Sequence, residues 1–168
     1  MNVISSDVPD WAREQKGFWE WNPGKSLLAS IRTYQRCRRG ECRFAFVRRR
    51  LAVLRHRFWS VVCGADIPLN SCLGGGLVLP HPNGVVIHPG ARIGPNCLIF
   101  QQVTIGTAVG EAVPEIGGHV DIGAGAKLLG GIRVGAHAVI GANAVVVKDV
   151  PAGKFAVGVP AEIREISE

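Results

Sequence analysis

From Ile87 to Val150 an aliphatic residue returns at every sixth position, a spacing that neither a helix nor an isolated strand sustains. The row runs Ile87, Ile93, Ile99 and Ile105, then Ile116, Ile122, Leu128, Val134, Ile140 and Val146. Four residues behind these stands a second apolar row: Ala91, Cys97, Val103, Val120, Ala126, Ile132, Ala138, Ala144 and Val150. Helical amphipathicity repeats every ~3.6 residues and a half-buried strand every ~2. Two phased columns six residues apart point instead to a solenoid of short parallel strands, one strand and one turn per hexad. Glycine often follows the aliphatic residue (Gly94, Gly106, Gly117, Gly123, Gly135, Gly141). Its expected role there is to supply turn angles that a side chain opposes.

The row breaks twice. From Ile105 to Ile116 the step is eleven residues, so about five residues loop out between Gly106 and Glu115, and loops on solenoids are where sites are built. An earlier row of Ile67, Leu73, Leu79 and Val85 slips by two residues to Ile87, which bends the chain around His81 to Gly84. Ala65-Asp66-Ile67, the run from Leu79 to Ile87 (LPHPNGVVI), Gln101 to Gly106 (QQVTIG), Ile122 to Lys127 (IGAGAK) and Gly158-Val159-Pro160-Ala161 occur in that order. On these segments the chain resembles the hexapeptide-repeat acyltransferases, and within them the serine acetyltransferase family. The resemblance covers roughly residues 66–163. It implies a mainly β fold, a left-handed parallel β-helix with three hexads per triangular coil, preceded here by a short α-helical segment.

Residues 1–64 read as that basic helical segment and residues 65–168 as the β-helix domain with a short C-terminal cap over 155–163. Residues 1–25 are expected to be loosely structured, anchored by Trp11, Phe18, Trp19 and Trp21. Asn22-Pro23-Gly24 is expected to form a turn, and Ser26 to cap a helix that Gly40 ends. A second helix, closed by Gly64, carries Phe44, Val47, Leu51, Leu54, Phe58 and Val61 as one apolar stripe. Thirteen Lys/Arg face five Asp/Glu in residues 1–65, against six and eight in residues 66–168. The basic character therefore belongs to the preface. Ten arginines lie between Arg32 and Arg57 with Glu41 the sole acid. Such a run is either a solvated face or a patch for an anionic membrane surface; without a recognition motif it does not indicate nucleic acid. Among 47% hydrophobic residues there is no uninterrupted apolar run of the ~20 that span a bilayer. The acidic start, without a basic and apolar signal region, reads as cytoplasmic. Five cysteines (Cys37, Cys42, Cys63, Cys72, Cys97) have no metal-finger spacing and read as reduced structural thiols, with Cys97 in the core.

Acyl transfer from a thioester to a hydroxyl needs a base for the hydroxyl proton and donors for the developing oxyanion. Histidine suits the first task at neutral pH. His81, flanked by Pro80 and Pro82, matches the family's catalytic histidine, and Asp66 matches the acidic residue that orients it. By resemblance Gly106, Thr107, Ala124 and Ala142 line the coenzyme A groove. Acetyl-CoA is then the co-substrate, no metal is required, and a homotrimer holds its sites between neighbouring β-helices. Two positions depart from the serine enzymes: Pro80 replaces an aspartate, and Val113 stands where a second histidine engages serine. The chain therefore looks closer to the capsule and exopolysaccharide branch, and the expected activity is O-acetylation of a sugar hydroxyl in a surface glycan. The alternative acceptor is L-serine. Two further classes compete. His119 and His137, eighteen residues apart and so stacked at about one strand spacing, ~4.8 Å, suggest a metal-dependent β-helix hydratase, which needs a third histidine from His81 or His88. The other class is a non-catalytic binding solenoid.

Overall fold

The computed structural model describes residues 4–17 and 19–165; Phe18, one of the expected aromatic anchors, lies outside them. Two-residue and three-residue strands wind into a left-handed parallel β-helix of triangular section. The first face holds β1 (Cys72–Leu73), β3 (Arg92–Ile93), β6 (Glu115–Ile116) and β9 (Arg133–Val134). The second holds β4 (Leu98–Ile99), β7 (Asp121–Ile122), β10 (Val139–Ile140) and β12 (Lys154–Val157). The third holds β2 (Val86–Ile87), β5 (Thr104–Gly106), β8 (Lys127–Leu129) and β11 (Val145–Val146). Within each strand the hexad residue turns inward and its predecessor outward. On the third face Ile87 registers with Ile105, Ile105 with Leu128 and Leu128 with Val146, all 1% exposed or less. Each such burial contributes about 1.5–3 kcal/mol, and the small second row (Ala91, Cys97, Val103, Ala126, Ala138, Ala144) fills the corners with no exposure at all.

The glycine row does a different job from the one expected. Left-handed backbone falls two residues later in the hexad, at Asn96, Gln102, His119, His137 and Asn143 and at Gly76, Gly125 and Gly153. Gly94, Gly117, Gly123 and Gly135 have ordinary φ values. They are glycine because successive coils touch there: a Cβ on Gly94 would stand 2.5 Å from the Gly117 carbonyl carbon, and one on Gly135 2.3 Å from the Ala152 nitrogen.

The five-residue loop is observed as a register step. Thr104 pairs with Lys127 across the loop, whereas Val86 pairs with Thr104 and Lys127 with Val145 at the regular interval. At the C-terminus the solenoid continues one rung past the expected end at Val150, because β12 pairs in parallel with β10. The chain then reverses into β13 (Glu162–Glu165), which pairs antiparallel with β12.

Ahead of the coils, α1 (Pro23–Arg38) and α2 (Ala45–Cys63) form a hairpin. Helix α1 starts three residues before the expected Ser26 cap. Asn22 is the N-cap, its Oδ1 accepting from the Lys25 N–H at 3.0 Å, and Pro23 fits the first turn, which lacks N–H partners anyway. Gly40 (φ +83°) and Gly64 (φ +59°) close the two helices as expected. Leu27, Leu28 and Ile31 of α1 are buried against the first coils.

Residues 5–15 are not loose. Asn96, wholly buried, donates through Nδ2 to the Ser5 and Val8 carbonyls and accepts the Asp10 N–H at Oδ1, 2.7 Å. The Arg32 guanidinium donates to both Glu14 carboxylate oxygens (3.0 and 2.8 Å) and to the Leu73 and Gly74 carbonyls. Arg32 is thus a structural tie rather than part of a basic surface. Trp11 lies 5.4 Å from this guanidinium and covers Gly75, whereas Trp19 and Trp21 are 92% and 74% exposed, with Trp21 set edge-on against Trp59 of α2.

The thiols are not all free either. Cys37 and Cys42 form a disulfide, because the turn after α1 folds Cys42 back over the helix end, with the two Cα atoms 4.8 Å apart. Cys63 and Cys97 are buried, which pushes both thiols up to about 11, and Cys72 is free and exposed. Native protein treated with iodoacetamide at pH 8 is expected to be alkylated at Cys72 but not at Cys63 or Cys97; peptide mass mapping reads this. Gly94→Ala is expected to cost about 1–3 kcal/mol of stability through the coil contact, seen as a lowered midpoint in denaturant; an unchanged midpoint refutes the contact's role.

Candidate active site

Strand-by-strand register places His81 at the one corner where the coil carries two extra residues. Asp66 bridges to Val86 and Val78 to Leu98, each twenty residues on, instead of the regular eighteen. The surplus is spent between the second and third faces. There a turn closes through the Val85 N–H to the Pro82 carbonyl, 3.1 Å, with Gly84 at φ +69°. That turn is held from both sides. The Gly84 N–H donates to the Gly64 carbonyl at the end of α2, and the Gln102 N–H of the next coil donates to the Asn83 carbonyl, both at 2.8 Å. His81 leads into this fixed turn from between two prolines, with an exposed side chain.

Asp66 opens the third face: its N–H donates to the Val85 carbonyl and its carbonyl accepts from the Ile87 N–H. Its carboxylate is exposed and heads the outward row Asp66, Val86, Thr104, Lys127, Val145. Both chemistry-bearing side chains therefore stand at the start of one face. In the single chain no hydrogen bond or ion pair joins them, and among the described residues neither has such a partner.

The other four candidates divide between the two edges of that same face. Ala124 and Ala142 stack at its leading corner, where the Asn143 N–H donates to the Ala124 carbonyl, 2.8 Å. Gly106 and Thr107 lie at its trailing corner, where β5 runs into the loop. A Cβ on Gly106 would meet nothing within 4 Å, so its backbone is open to an approaching molecule. The stack of Ala124 and Ala142 is as their spacing indicates, but one chain does not enclose the four residues with His81. The loop lies against the following coil. The Gly130 N–H bonds the Gly106 carbonyl, Ala112 sits over Gly131, and Pro114 returns the chain to β3 through the Arg92 N–H.

The metal reading does not assemble. His119 and His137 stack with ring centroids 4.9 Å apart, and their Nδ1 atoms are 2.8 Å from each other, so one donates to the other. They occupy the corner between the first and second faces, while His81 and His88 occupy the other two. Among the described residues no group of three or more His, Cys, Asp or Glu is arranged around a metal-sized centre. The residues sequence reasoning missed are the clamps of the His81 turn, Gly64, Asn83 and Gln102. Asn-Gly at 83–84 signals the turn, but its partners come from other coils.

A triangular β-helix of hexads with an extruded loop and a histidine at a register slip defines a class of proteins, and the comparisons narrow it. No family model matches the chain. It is 42% identical over 123 residues to a serine acetyltransferase of Helicobacter pylori, covering 71% of this chain and 70% of that protein. It is 41% identical over 118 residues to the serine acetyltransferase of Mycobacterium tuberculosis, covering 68% of this chain and 52% of that one. Among solved structures, the Neisseria gonorrhoeae serine acetyltransferase in complex with serine matches with a TM-score of 0.70 and 38% identity, over 84% of this chain and 57% of that one. The chain belongs to the serine acetyltransferase family. It spans about half the length of the first curated relatives it matches.

Two glycines of the site are separable by stability. Gly106→Ala adds a methyl group to open space and is expected to stay within about 0.5 kcal/mol of wild type. Gly84→Ala forces a side chain into left-handed backbone 3.1 Å from Gln102 Cγ, and about 1–2 kcal/mol should be lost. Thermal unfolding of the two variants side by side checks both.

Proposed function

We propose that the chain is an acetyl-CoA-dependent O-acetyltransferase in which His81 is the general base. The observation that carries this is the clamped turn that presents an exposed His81 at the head of the same face that Asp66 opens, whose edges present Ala124, Ala142 and the open Gly106 backbone. His81 takes the proton of the acceptor hydroxyl as its oxygen attacks the thioester carbonyl. Collapse of the tetrahedral oxyanion breaks the carbon–sulfur bond. The imidazolium returns its proton to the departing coenzyme A thiolate, leaving ester and free thiol. Asp66 stabilises the imidazolium and orients the ring, through a contact that forms once substrate is bound.

The acceptor that the relatives' names support is L-serine, and it is the first reading. A specific observation favours a second. Pro80 and Val113 put no polar side chain where the family pattern has an aspartate and a histidine, and a site built for a small zwitterion depends on such groups. A sugar hydroxyl of a surface glycan, the capsule and exopolysaccharide reading, makes less use of them. We assign the working enzyme a homotrimer. The six candidate residues lie on the open surface of one chain, and a neighbouring β-helix laid along this face supplies the wall they lack.

Replacing His81 with Ala is expected to lower kcat ~10²–10⁴-fold with coenzyme A affinity and oligomer mass unchanged. Asp66→Asn lowers kcat in the same sense. Near-wild-type turnover in folded His81→Ala removes this histidine from the mechanism. Thiol release from acetyl-CoA, measured with L-serine against nucleotide sugars and oligosaccharides, decides the acceptor; no release with any acceptor leaves a binding solenoid instead.

A further inference from the structure

Helix α2 turns the apolar stripe seen in its sequence away from the rest of the chain. What it presents to the protein is Ala52 (1% exposed), Cys63 (3%), the part-buried Trp59 and His56, whose Nε2 lies 2.8 Å from the Ile67 carbonyl oxygen. Val47, Leu51, Leu54, Phe58 and Val61 are 54–83% exposed on the far side. Spaced four, three, four and three apart, they form one stripe about 20 Å long.

Arginines border the stripe on both edges. Arg48 and Arg55 are the helical neighbours of Leu51 on one side; Arg50 and Arg57 are those of Leu54 on the other. All four are exposed, and α2 contains no acidic residue. Trp21, mostly exposed, packs edge-on against Trp59 at 5.6 Å beside the same helix.

From this arrangement we propose that α2 is an in-plane anchor that lays its apolar stripe into an anionic lipid surface, with the flanking arginines on the headgroups. An amphipathic helix with cationic borders and Leu/Phe at its centre has the chemistry of that interface, and tryptophan partitions to it. Charge argues against a second copy as the occupant. The same helix of a partner brings arginine to arginine. The outward rows of the three parallel faces offer one carboxylate each: Asp66, Glu115 and Asp121. Glu162 and Glu165 at the C-terminal hairpin are paired with Arg164 and Lys154. No helix among the described residues is long and apolar enough to cross a membrane, so the helix lies on the surface. The arrangement is independent of the catalytic reading.

The test is co-sedimentation of the full chain with phosphatidylglycerol–phosphatidylcholine vesicles and with phosphatidylcholine alone. Wild type should pellet with the anionic vesicles only, and less so near 1 M salt, where the Debye length falls to ~3 Å. Leu51→Gln/Phe58→Gln keeps every charge and should lose about tenfold or more in partition. Arg50→Gln/Arg57→Gln, a pair that leaves the apolar stripe intact, should lose binding as well; both changes sit at exposed positions, and circular dichroism confirms the fold. Wild type left in the supernatant at low salt overturns the proposal. So does undiminished binding by folded Leu51→Gln/Phe58→Gln, which would make the attraction a matter of charge alone. A wild-type assembly that ignores vesicles and that Leu51→Gln/Phe58→Gln breaks into a smaller species gives the face to a second copy, and equally overturns it.

Discussion

Everything in this molecule follows from how closely one coil must lie upon the next. Parallel strands pair at about 4.8 Å, and at Gly94, Gly117, Gly123 and Gly135 the backbones of successive coils leave no room even for a methyl group. That is why glycine follows the aliphatic residue so often, and why the space inside is filled by a large column and a small one. Strict stacking makes each coil a platform for the following one. It also means that any added residue must leave the prism sideways. The chain adds residues at two such places, and they carry the His81 turn and the loop after Gly106. Both candidate site elements of this chain thus sit where the repeat is allowed to fail.

The first coil has no coil beneath it, and the chain covers it with other material. Helix α1 sets Leu27, Leu28 and Ile31 on it, and Glu14 and Arg32 tie the N-terminal strap to the carbonyls of Leu73 and Gly74. The pair is largely buried, with side chains 9% and 15% exposed, and every charge in it is hydrogen-bonded. Burial without such partners costs several kcal/mol, so the network works only as a whole. The Gly64 carbonyl, just past α2, then receives the Gly84 N–H, so the helical preface also fixes the turn that presents His81.

What could be read from the sequence was what repeats. The inward columns, the loop after Gly106, the stacking of Ala124 under Ala142 and the contact of His119 with His137 follow from counting in sixes and eighteens. What escaped was set by partners far apart in the chain. Nothing local says that Asn96 is the buried anchor of residues 5–10, although Gly75, Gly76 and Gly118 are glycines the hexad does not require; they lie under that strap. The glycine row was legible but its reason was not, since φ is local and coil contact is not. Helical period finds a stripe without saying which side meets the protein, and α2 chose Ala52, His56, Trp59 and Cys63. The Cys37–Cys42 bond hinged on the shape of one turn. For the site, His81 and Asp66 were reachable by motif, while the open state of the face they head is visible only in three dimensions.

The antiparallel return of β13 has a consequence for the molecule as a whole. A parallel solenoid is a template that ends in unpaired N–H and C=O groups, and a flat terminal rung invites another chain to continue the stack without limit. Here the last rung of the second face is claimed by the chain's own reversed strand, all four of whose residues, Glu162, Ile163, Arg164 and Glu165, are exposed and mostly charged. On the neighbouring face Val145 donates to the Gly158 carbonyl and accepts from the Ala161 N–H, so the Gly-Val-Pro-Ala segment occupies the next position there. At this end a second chain cannot continue the coil on these two faces without first displacing the chain's own segment, so the stack is capped there by a reversal of the strand direction that built it.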